Sequence, residues 1–333
     1  MNSAAPTDDA LLQHASHSIA VGSKSFAAAS RLFDPVTRSG AVMLYAWCRH
    51  CDDVIDGQQS GHDAVALSRE EAQRRLAVLQ AQTQAVYAGE PVTEPAFQAF
   101  AHVVRRHAIA QAYALDHLAG FEMDVLEREY HSIDDTLHYC YHVAGVVGLM
   151  MAQVMGAQDE PTLDRACDLG LAFQMTNIAR DIVEDAGNGR CYLPRQWLDE
   201  LQIPREHLAD PRHRAGLAIL ARRLVDQAEP YYASAQAGLT ALPWRSAWAV
   251  ATAAAVYRQI GIKVRRSGEQ AWDGRVSTSR GEKIGAVLTG AWRVITSRGR
   301  VWPARSTALW QRPRPACATD LHAGPATGPA SAP

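Results

Sequence analysis

Apolar residues recur every three or four positions along most of this chain, which is the spacing of one face of an α-helix. The alternating pattern of β-strands is nearly absent. Gly and Pro cluster in short breaks, none of which is long enough for a domain linker. We therefore predict a single all-α domain. Its predicted helices lie near residues 8–20, 35–56, 64–88, 95–108, 111–128, 133–156, 161–186, 213–240, 244–267 and 279–298.

The two ends of the chain differ from its middle. Residues 1–10 begin with a polar segment and are predicted to be a flexible N-terminus. Residues 312–333 are rich in Pro, Ala and Gly and contain few apolar side chains, so we predict a disordered tail there. The helical domain is accordingly expected to cover residues 11–311.

Composition excludes several classes of protein. The net charge of −2 and the pI of about 6.7 give no global basic field, so no nucleic-acid partner is expected. The six cysteines are scattered and the start of the chain does not read as a secretory leader, which predicts free thiols in a reducing cytoplasm. Cys48 and Cys51 are interpreted as buried thiols, because no second pair of ligands completes a zinc site. The most apolar run, 143–154, is too short to span a membrane.

Four aspartates form two pairs whose members are four residues apart. Asp52 and Asp56 belong to one predicted helix, and Asp181 and Asp185 belong to another, so each pair shares one helix face. Like charges at this spacing repel each other and need a counter-ion. Mg²⁺ fits best, because proteins usually hold it with one or two carboxylates and substrate phosphates. Two such helices facing each other would form a cage for a diphosphate.

The neighbours of these pairs distinguish them from ordinary acidic helix faces, which are usually solvated. Arg49 lies one turn before Asp52, and Arg180 directly precedes Asp181. Asn177 lies one turn before Asp181, where its amide oxygen is a candidate ligand for a metal ion or for metal-bound water. The spacing alone therefore indicates a metal–phosphate site.

Three further segments each have a structural and a functional interpretation. Residues 22–26, Gly-Ser-Lys-Ser-Phe, are either a helix cap or a helix end whose hydroxyls and Lys24 meet a diphosphate. The small residues at 144, 145 and 148 either allow close helix packing or leave room for a long apolar ligand. The loop 189–194 is either an ordinary turn or a cap on the acidic site formed by Arg190 and Tyr192.

Together these segments resemble the bacterial phytoene synthases of the squalene/phytoene synthase family, which are head-to-head prenyl synthases. The resemblance runs from about residue 11 to residue 311 and rests on the order and spacing of its motifs. These motifs occupy residues 22–26, 45–56, 139–148, 174–185 and 189–194. The chain departs from the family pattern in an extra acid, Asp53, and in a loose match over 277–283 that leaves the role of Lys283 open.

The resemblance implies an isoprenoid-synthase fold, in which helices surround a deep apolar cavity with metal ions at its mouth. The implied metal ligands, direct or through water, are Asp52, Asp56, Asn177, Asp181 and Asp185. The four aspartates and Tyr139 are the implied catalytic residues. The implied contacts to diphosphate are Ser23, Lys24, Arg49, Arg180 and Arg190, with Tyr257 and Arg275 helping to close that site. The reacting centre would be lined by Phe26, Tyr45, Tyr139 and Gln174.

The resemblance also implies a reaction. Two molecules of geranylgeranyl diphosphate would condense through cyclopropyl prephytoene diphosphate to phytoene and release diphosphate, in the first committed step of carotenoid biosynthesis. The implied cofactors are two or three Mg²⁺ or Mn²⁺ ions, and no use of NADPH is expected. Because water does not accept a long hydrocarbon product, we expect a cytoplasmic enzyme that associates peripherally with the membrane. Contacts with neighbouring enzymes of carotenoid synthesis are a further expectation.

Three alternatives compete with this hypothesis. The same fold could make squalene or dehydrosqualene from the shorter farnesyl diphosphate, and the depth of the cavity decides between the two substrates. Head-to-tail prenyl elongation is suggested by the DDxxD pattern of residues 52–56, but the second motif lacks an Asp-Asp opening. A non-enzymatic helical scaffold would not need two acidic stripes accompanied by arginines.

Overall fold

The computed structural model describes residues 8–22, 24–57 and 67–314, and within these ranges it contains helices and turns but no strand. The longer helices are α1 (Asp8–Gly22), α2 (Lys24–Ser30), α3 (Pro35–Asp56), α4 (Arg69–Ala88), α5 (Pro95–His107), α6 (Gln111–Val125), α7 (Ile133–Cys140), α8 (Val146–Val154), α9 (Glu160–Gly187), α10 (Arg195–Glu200), α11 (Arg214–Gly238), α12 (Trp244–Ser267) and α13 (Arg280–Ser297). A π turn, Tyr141–Gly145, connects α7 to α8. Short 3₁₀ turns occupy Arg205–His207, Pro211–His213, Leu239–Ala241 and Gly268–Trp272. The prediction of an all-α fold is confirmed.

Helix α3 shows why its ends were predictable. The carboxylate of Asp34 accepts hydrogen bonds from the backbone N–H groups of Val36 and Thr37, both at 3.0 Å, and Pro35 occupies the first turn. Gly57 ends the helix in the left-handed conformation, with φ of 62°. In contrast, the short helices α2 and α10 were not predicted, because seven and six residues are too few to display a helical period.

The predicted helix 133–156 is divided by the π turn, and its small residues serve close packing. A Cβ atom on Gly148 would overlap the carbonyl group of Ala166 on α9, and one on Gly170 would overlap the carbonyl group of Ala144. The backbones of α8 and α9 therefore touch. This finding favours the packing interpretation for Gly148, although the same residue also borders the internal cavity described below.

Helix α9 is the central element. It packs against α8, α11 and α12, and with its 28 residues it is about 42 Å long. The end of α9 carries Asp181 and Asp185, and Asp164 near its start pairs with Arg312 of the C-terminal segment at 2.8 Å. No helix in the described ranges is both long and apolar enough to cross a bilayer.

The described residues extend slightly beyond both predicted limits of the helical domain. Helix α1 begins at Asp8, within the segment expected to be flexible. At the other end, Arg312 is buried and donates a hydrogen bond to Asp164 at 2.8 Å, and Arg314 pairs with the same carboxylate at 2.8 Å. These charge pairs belong to the first three residues of the tail for which composition predicts disorder, and that prediction stays a prediction for the tail. Residues 315–333 lie outside the described ranges.

Candidate active site

The two acidic pairs meet at the mouth of one cavity. Asp52 and Asp56 lie in the last two turns of α3, and Asp181 and Asp185 lie near the end of α9. All four side chains line the same cavity, whose volume is about 1270 Å³. The pairs therefore face a shared space, in the arrangement expected for a diphosphate cage.

Arginines accompany these acids. Arg49 donates to Asp52 at 2.8 Å and pairs with Asp53 at 2.7 Å. Arg180 donates to its neighbour Asp181 at 2.8 Å.

Two more arginines reach the mouth from elsewhere in the chain. Arg190, in the loop after α9, donates to Asp56 on α3. Arg275 approaches Asp181 at 3.7 Å and donates to Glu184 at 3.3 Å. These four cations line the cavity and provide the donors that a diphosphate requires.

The electrostatics of the mouth favour a bound cation. Burial, followed by the charge of Asp56, raises the pKa of Asp52 to about 7. Burial, followed by the charge of Asp181, raises the pKa of Asp185 to about 7. Both shifts mean that the second negative charge of each pair is costly near neutral pH. A divalent cation would remove this cost, so the carboxylates are suited to hold one.

Asn177 supplies a second indication of a cation site. Its amide nitrogen donates to Gln174 at 3.2 Å, while its buried oxygen Oδ1 has no hydrogen-bond partner among the described residues. An unpartnered buried oxygen is costly and is available as a ligand. Within the described ranges, no three carboxylate, histidine or cysteine side chains converge enough to hold a metal by themselves. A metal ion held here would need further oxygens, from substrate or water, to complete its coordination.

Asp124 is a site residue that the sequence interpretation missed. It lines the cavity from α6 and accepts hydrogen bonds from the hydroxyls of Tyr139 at 3.1 Å and Tyr192 at 3.0 Å. The rings of these tyrosines are stacked, with centroids 4.5 Å apart. Burial raises the pKa of Asp124 to about 6. No local signal marks Asp124, because Glu122 is a second acid in the same turn and only the partners of Asp124 set it apart.

Aromatic rings surround the space below the acids. Phe26 on α2 stacks with Tyr45 on α3 at 5.3 Å, and Phe173 on α9 stacks with Tyr257 on α12 at 4.2 Å. Burial raises the pKa of Tyr45 to about 12 and that of Tyr139 further above its usual value, so both phenols stay neutral. Gln174 lines the same space.

The deep part of the cavity is apolar. It extends along α9 from Asp185 to Thr162, a distance of about 35 Å at the rise of an α-helix. Its deep walls include Leu32, Val147, Met151, Met155, Ala166, Leu169, Leu239, Leu242 and Val250. The volume exceeds the roughly 300–1,000 Å³ of a pocket for one drug-sized ligand. The cavity therefore suits a long apolar ligand, or two of them.

One predicted segment is only partly described. Gly22 ends α1 and Phe26 lies in α2, and both line the cavity. Ser23 and the side chain of Lys24 lie outside the part of the chain that the structure describes. Their predicted contact with diphosphate therefore stays a prediction. Lys283, whose role the motifs left open, lines the cavity from α13.

Comparison with known proteins shows the family. The model described as "Squalene/phytoene synthase" matches residues 19–282. A 15-cis-phytoene synthase of Pantoea ananas is 59% identical over 303 residues, which cover 91% of this chain and 98% of that relative. A 15-cis-phytoene synthase of Enterobacter agglomerans is 60% identical over 297 residues, which cover 88% of this chain and 99% of that relative.

A solved structure supports the same assignment. The crystal structure of a dehydrosqualene synthase in complex with ligand is similar, with a TM-score of 0.78 and 26% identity, over 87% of this chain and 98% of that chain. The chain belongs to the squalene/phytoene synthase family. The resemblance found in the motifs is thus confirmed, as is the expectation of an enzyme rather than a helical scaffold.

Proposed function

We propose that this protein is a prenyltransferase that condenses two molecules of geranylgeranyl diphosphate head to head to phytoene. The observation that carries the proposal is the meeting of both acidic pairs and their arginines at the mouth of one deep apolar cavity. The relatives named as phytoene synthases, at 59% and 60% identity over about nine-tenths of the chain, favour this product over squalene or dehydrosqualene. The reaction is a step of carotenoid biosynthesis.

The residues of the mouth would bind and orient the diphosphates. Arg49, Arg180, Arg190 and Arg275 supply charged donors for the phosphate oxygens. Asp52, Asp56, Asn177, Asp181 and Asp185 would hold Mg²⁺ or Mn²⁺, together with oxygens of substrate or water. When bound, these ions neutralise the departing diphosphate and act as Lewis acids.

The residues below the mouth would protect and guide the cationic substrate. Apolar walls exclude water that would otherwise quench an allylic cation. The faces of Phe26, Tyr45, Tyr139 and Phe173 provide negative quadrupole density to such a cation. The hydrogen bond to Asp124 fixes the hydroxyl of Tyr139 beside this space. In the balanced reaction, two diphosphates and two protons leave, and one carbon–carbon double bond joins the two prenyl chains.

The test uses purified full-length protein with geranylgeranyl diphosphate or farnesyl diphosphate, with Mg²⁺, with Mn²⁺ or with a chelator. The hydrocarbon product is identified by mass spectrometry and chromatography against standards, and no NADPH is added. We expect phytoene to form from the twenty-carbon substrate, and only when a divalent ion is present. The proposed substrate would be wrong if the main product were squalene or dehydrosqualene, formed from the fifteen-carbon substrate. The proposed class of enzyme would be wrong if neither diphosphate gave a hydrocarbon.

The proposal extends to location. The product is a long hydrocarbon and its substrate carries a long apolar tail, so turnover is expected at a membrane surface by reversible, peripheral attachment. Product delivery to the next enzyme of carotenoid synthesis through the same membrane follows from this attachment. Release of the protein from membrane fractions by salt or carbonate washing is the expected result, and resistance to both would contradict it.

A further inference from the structure

The outer face of α13 carries a row of exposed apolar side chains. Ile284, Leu288, Trp292 and Ile295 are 63%, 67%, 66% and 55% exposed, and they are spaced by four, four and three residues. This spacing places them on one side of the helix over about 16 Å. Single exposed apolar residues are ordinary, but a contiguous row that includes a tryptophan marks an interaction surface. We refer to these four residues as the α13 stripe.

The opposite face of α13 is fixed against the body of the enzyme. Its buried residues are Ala286, Gly290, Val294 and Ser297. A Cβ atom on Gly290 would lie 2.9 Å from the backbone nitrogen of Thr252, so α13 and α12 are in close contact. The indole of Trp248 on α12 donates to the carbonyl of Val287 at 2.8 Å. Because this face is packed, the α13 stripe cannot turn inward and remains at the surface.

Exposed basic residues flank the α13 stripe, namely Arg280, Arg298 and Arg300. Within 280–300 the sequence has one acid, Glu282, and two further basic residues, of which Lys283 lines the cavity and Arg293 is half-buried. Glu282 is itself paired with Lys263 at 2.7 Å. The whole chain, in contrast, carries a net charge of −2. This region is therefore a local positive patch on a slightly negative protein.

Tryptophans extend the patch beyond the end of α13. The guanidinium of Arg298 lies 5.6 Å from the ring centre of the exposed Trp244, and that of Arg300 lies 4.4 Å from the ring centre of Trp302. Tryptophan and arginine together are typical of the interface between lipid and water. There the apolar part of each side chain contacts lipid while its polar or charged end contacts water or headgroups.

We propose that the α13 stripe is the surface by which this enzyme docks on an anionic lipid bilayer. Helix α13 lies in the plane of the headgroups. Its four apolar side chains enter the acyl boundary, and the exposed Arg280, Arg298 and Arg300 contact anionic headgroups. This inference rests on the proposed function, because a prenyl substrate and a hydrocarbon product partition into lipid. Lys283 and Val287, on the other side of the same helix, line the cavity, so docking places one cavity wall beside the membrane.

Charge and composition argue against two other occupants. A symmetric pair of two copies would bring the two positive patches together, and like charges oppose that contact. The chain after residue 314 contains one large aliphatic residue, Leu321, and is otherwise mainly Ala, Pro and Gly. It therefore lacks the apolar side chains needed to cover four large residues.

The test measures binding of the full chain to vesicles of phosphatidylcholine alone or with about one-third phosphatidylglycerol, at low and high salt. Removing the apolar contacts with the double variant Leu288→Gln/Trp292→Gln should lower the partition coefficient on anionic vesicles by about tenfold or more. Removing charge with Arg280→Gln/Arg300→Gln should weaken binding to anionic vesicles at low salt and have little effect at high salt.

Matched controls alter exposed residues on other faces. Val78→Gln/Ile219→Gln removes two exposed apolar side chains on α4 and α11, and Arg222→Gln/Arg266→Gln removes two exposed charges on α11 and α12. Both controls should bind like the parent protein. Circular dichroism confirms that each variant is folded.

Activity separates this inference from the proposed function. The Leu288→Gln/Trp292→Gln variant should keep parent turnover with substrate in detergent micelles and lose it with substrate in vesicles. Vesicle binding that is unchanged in this variant overturns the inference and leaves the proposed function intact. The inference is also overturned if the parent protein does not bind vesicles but forms a dimer in light scattering, and this variant is a monomer. That result would assign the α13 stripe to contact with a second copy.

Discussion

Arg190 donates a hydrogen bond to the carboxylate of Asp56, and this contact ties the loop after α9 to the last turn of α3. The two helices that carry the acidic pairs are thus connected across the cavity mouth by a cation. The same guanidinium lines the cavity, so it is positioned to exchange a protein carboxylate for a phosphate oxygen when substrate enters.

Replacing Arg190 with Gln should lower kcat/KM by about a hundredfold, because a charged donor to diphosphate is lost. Steady-state kinetics with geranylgeranyl diphosphate measures the effect. The control is Arg265→Gln, which removes an arginine paired with Asp226 at 3.1 Å on the protein surface. Equal activity of the two variants would show that Arg190 has no part in binding substrate.

Neutralising either acidic pair should abolish turnover without unfolding the protein. Asp52→Asn and Asp185→Asn are each expected to lower kcat by about a thousandfold, because the remaining ligands hold the cation poorly. The melting temperature at pH 8 should be unchanged or higher, since each substitution removes a carboxylate whose pKa is raised by burial and by a like charge. Asp199→Asn, on exposed α10, serves as the control. Near-normal activity with Mg²⁺ in either site variant would refute the metal assignment.

Affinity for Mg²⁺ should increase with pH through neutrality. Asp52 and Asp185 have pKa values of about 7, so both are largely protonated at pH 6 and largely ionised at pH 8. A cation must displace those protons, and affinity should fall about tenfold per pH unit below 7 for each carboxylate that has to ionise. Titration calorimetry in two buffers of different ionisation enthalpy measures the released protons. An affinity that is flat between pH 6 and pH 8 would contradict this coupling.

The buried His117 should make the fold sensitive to acid. Burial lowers its pKa to about 4, and its ring lies between Trp47 and Phe121, with centroids at 5.4 and 5.0 Å. The unfolded chain binds a proton near pH 6.5 whereas the folded chain does not until about pH 4. Stability therefore decreases as the pH falls through this window, by ~3 kcal/mol in total for this residue.

The measurement for His117 is chemical denaturation at several pH values. His117→Gln retains a side-chain donor but cannot be protonated, so its free energy of unfolding should depend less steeply on pH between 4 and 6.5 than that of the parent. The exposed His131→Gln is the control and should keep the parental slope. Identical slopes for all three proteins would assign the acid sensitivity to other groups.

Substrate length should respond to the deep wall of the cavity rather than to Gly148. Ala166 lines the cavity about 28 Å from Asp185 along α9, and its side chain is only half-buried. Ala166→Phe should therefore lower use of the twenty-carbon diphosphate more than use of the fifteen-carbon one, measured as the ratio of kcat/KM values. Ala255→Phe on α12 controls for a general effect of bulk. A folded Ala166→Phe variant with an unchanged ratio would place the end of the substrate elsewhere.

Local patterns predicted most of the helices and the acidic site, because both depend on residues close in sequence. The caps of α3, the helical periods and the spacing of Asp52 with Asp56 can all be recognised within one or two turns. The same reasoning failed where a neighbour distant in sequence decides the structure. The sequence left Gly148 with two interpretations, close packing or room for a ligand, and only the carbonyl of Ala166, which occupies the space that a side chain would need, favours packing.

Long-range partners also explain the other differences. Asp124 gains its place in the site from Tyr139 and Tyr192, the latter 68 residues away, so no local pattern could assign its role. The row of apolar residues on α13 is present in the sequence, but only the packing of its opposite face against α12 shows that it remains exposed. Sequence alone cannot distinguish an apolar helix face that is buried from one that is not.

The ion pairs that join Arg305 and Arg312 to α9 have a consequence for how the chain folds during its synthesis. Asp168 on α9 is fully buried, and its carboxylate is held by Arg305, 137 residues later, while Arg312 reaches back to Asp164 over 148 residues. A buried carboxylate without its partner is strongly destabilising. While the chain is still attached to the ribosome, these arginines emerge more than a hundred residues after their partners on α9. The nascent enzyme therefore cannot complete its substrate chamber until the segment that carries Arg305 and Arg312 has been synthesised.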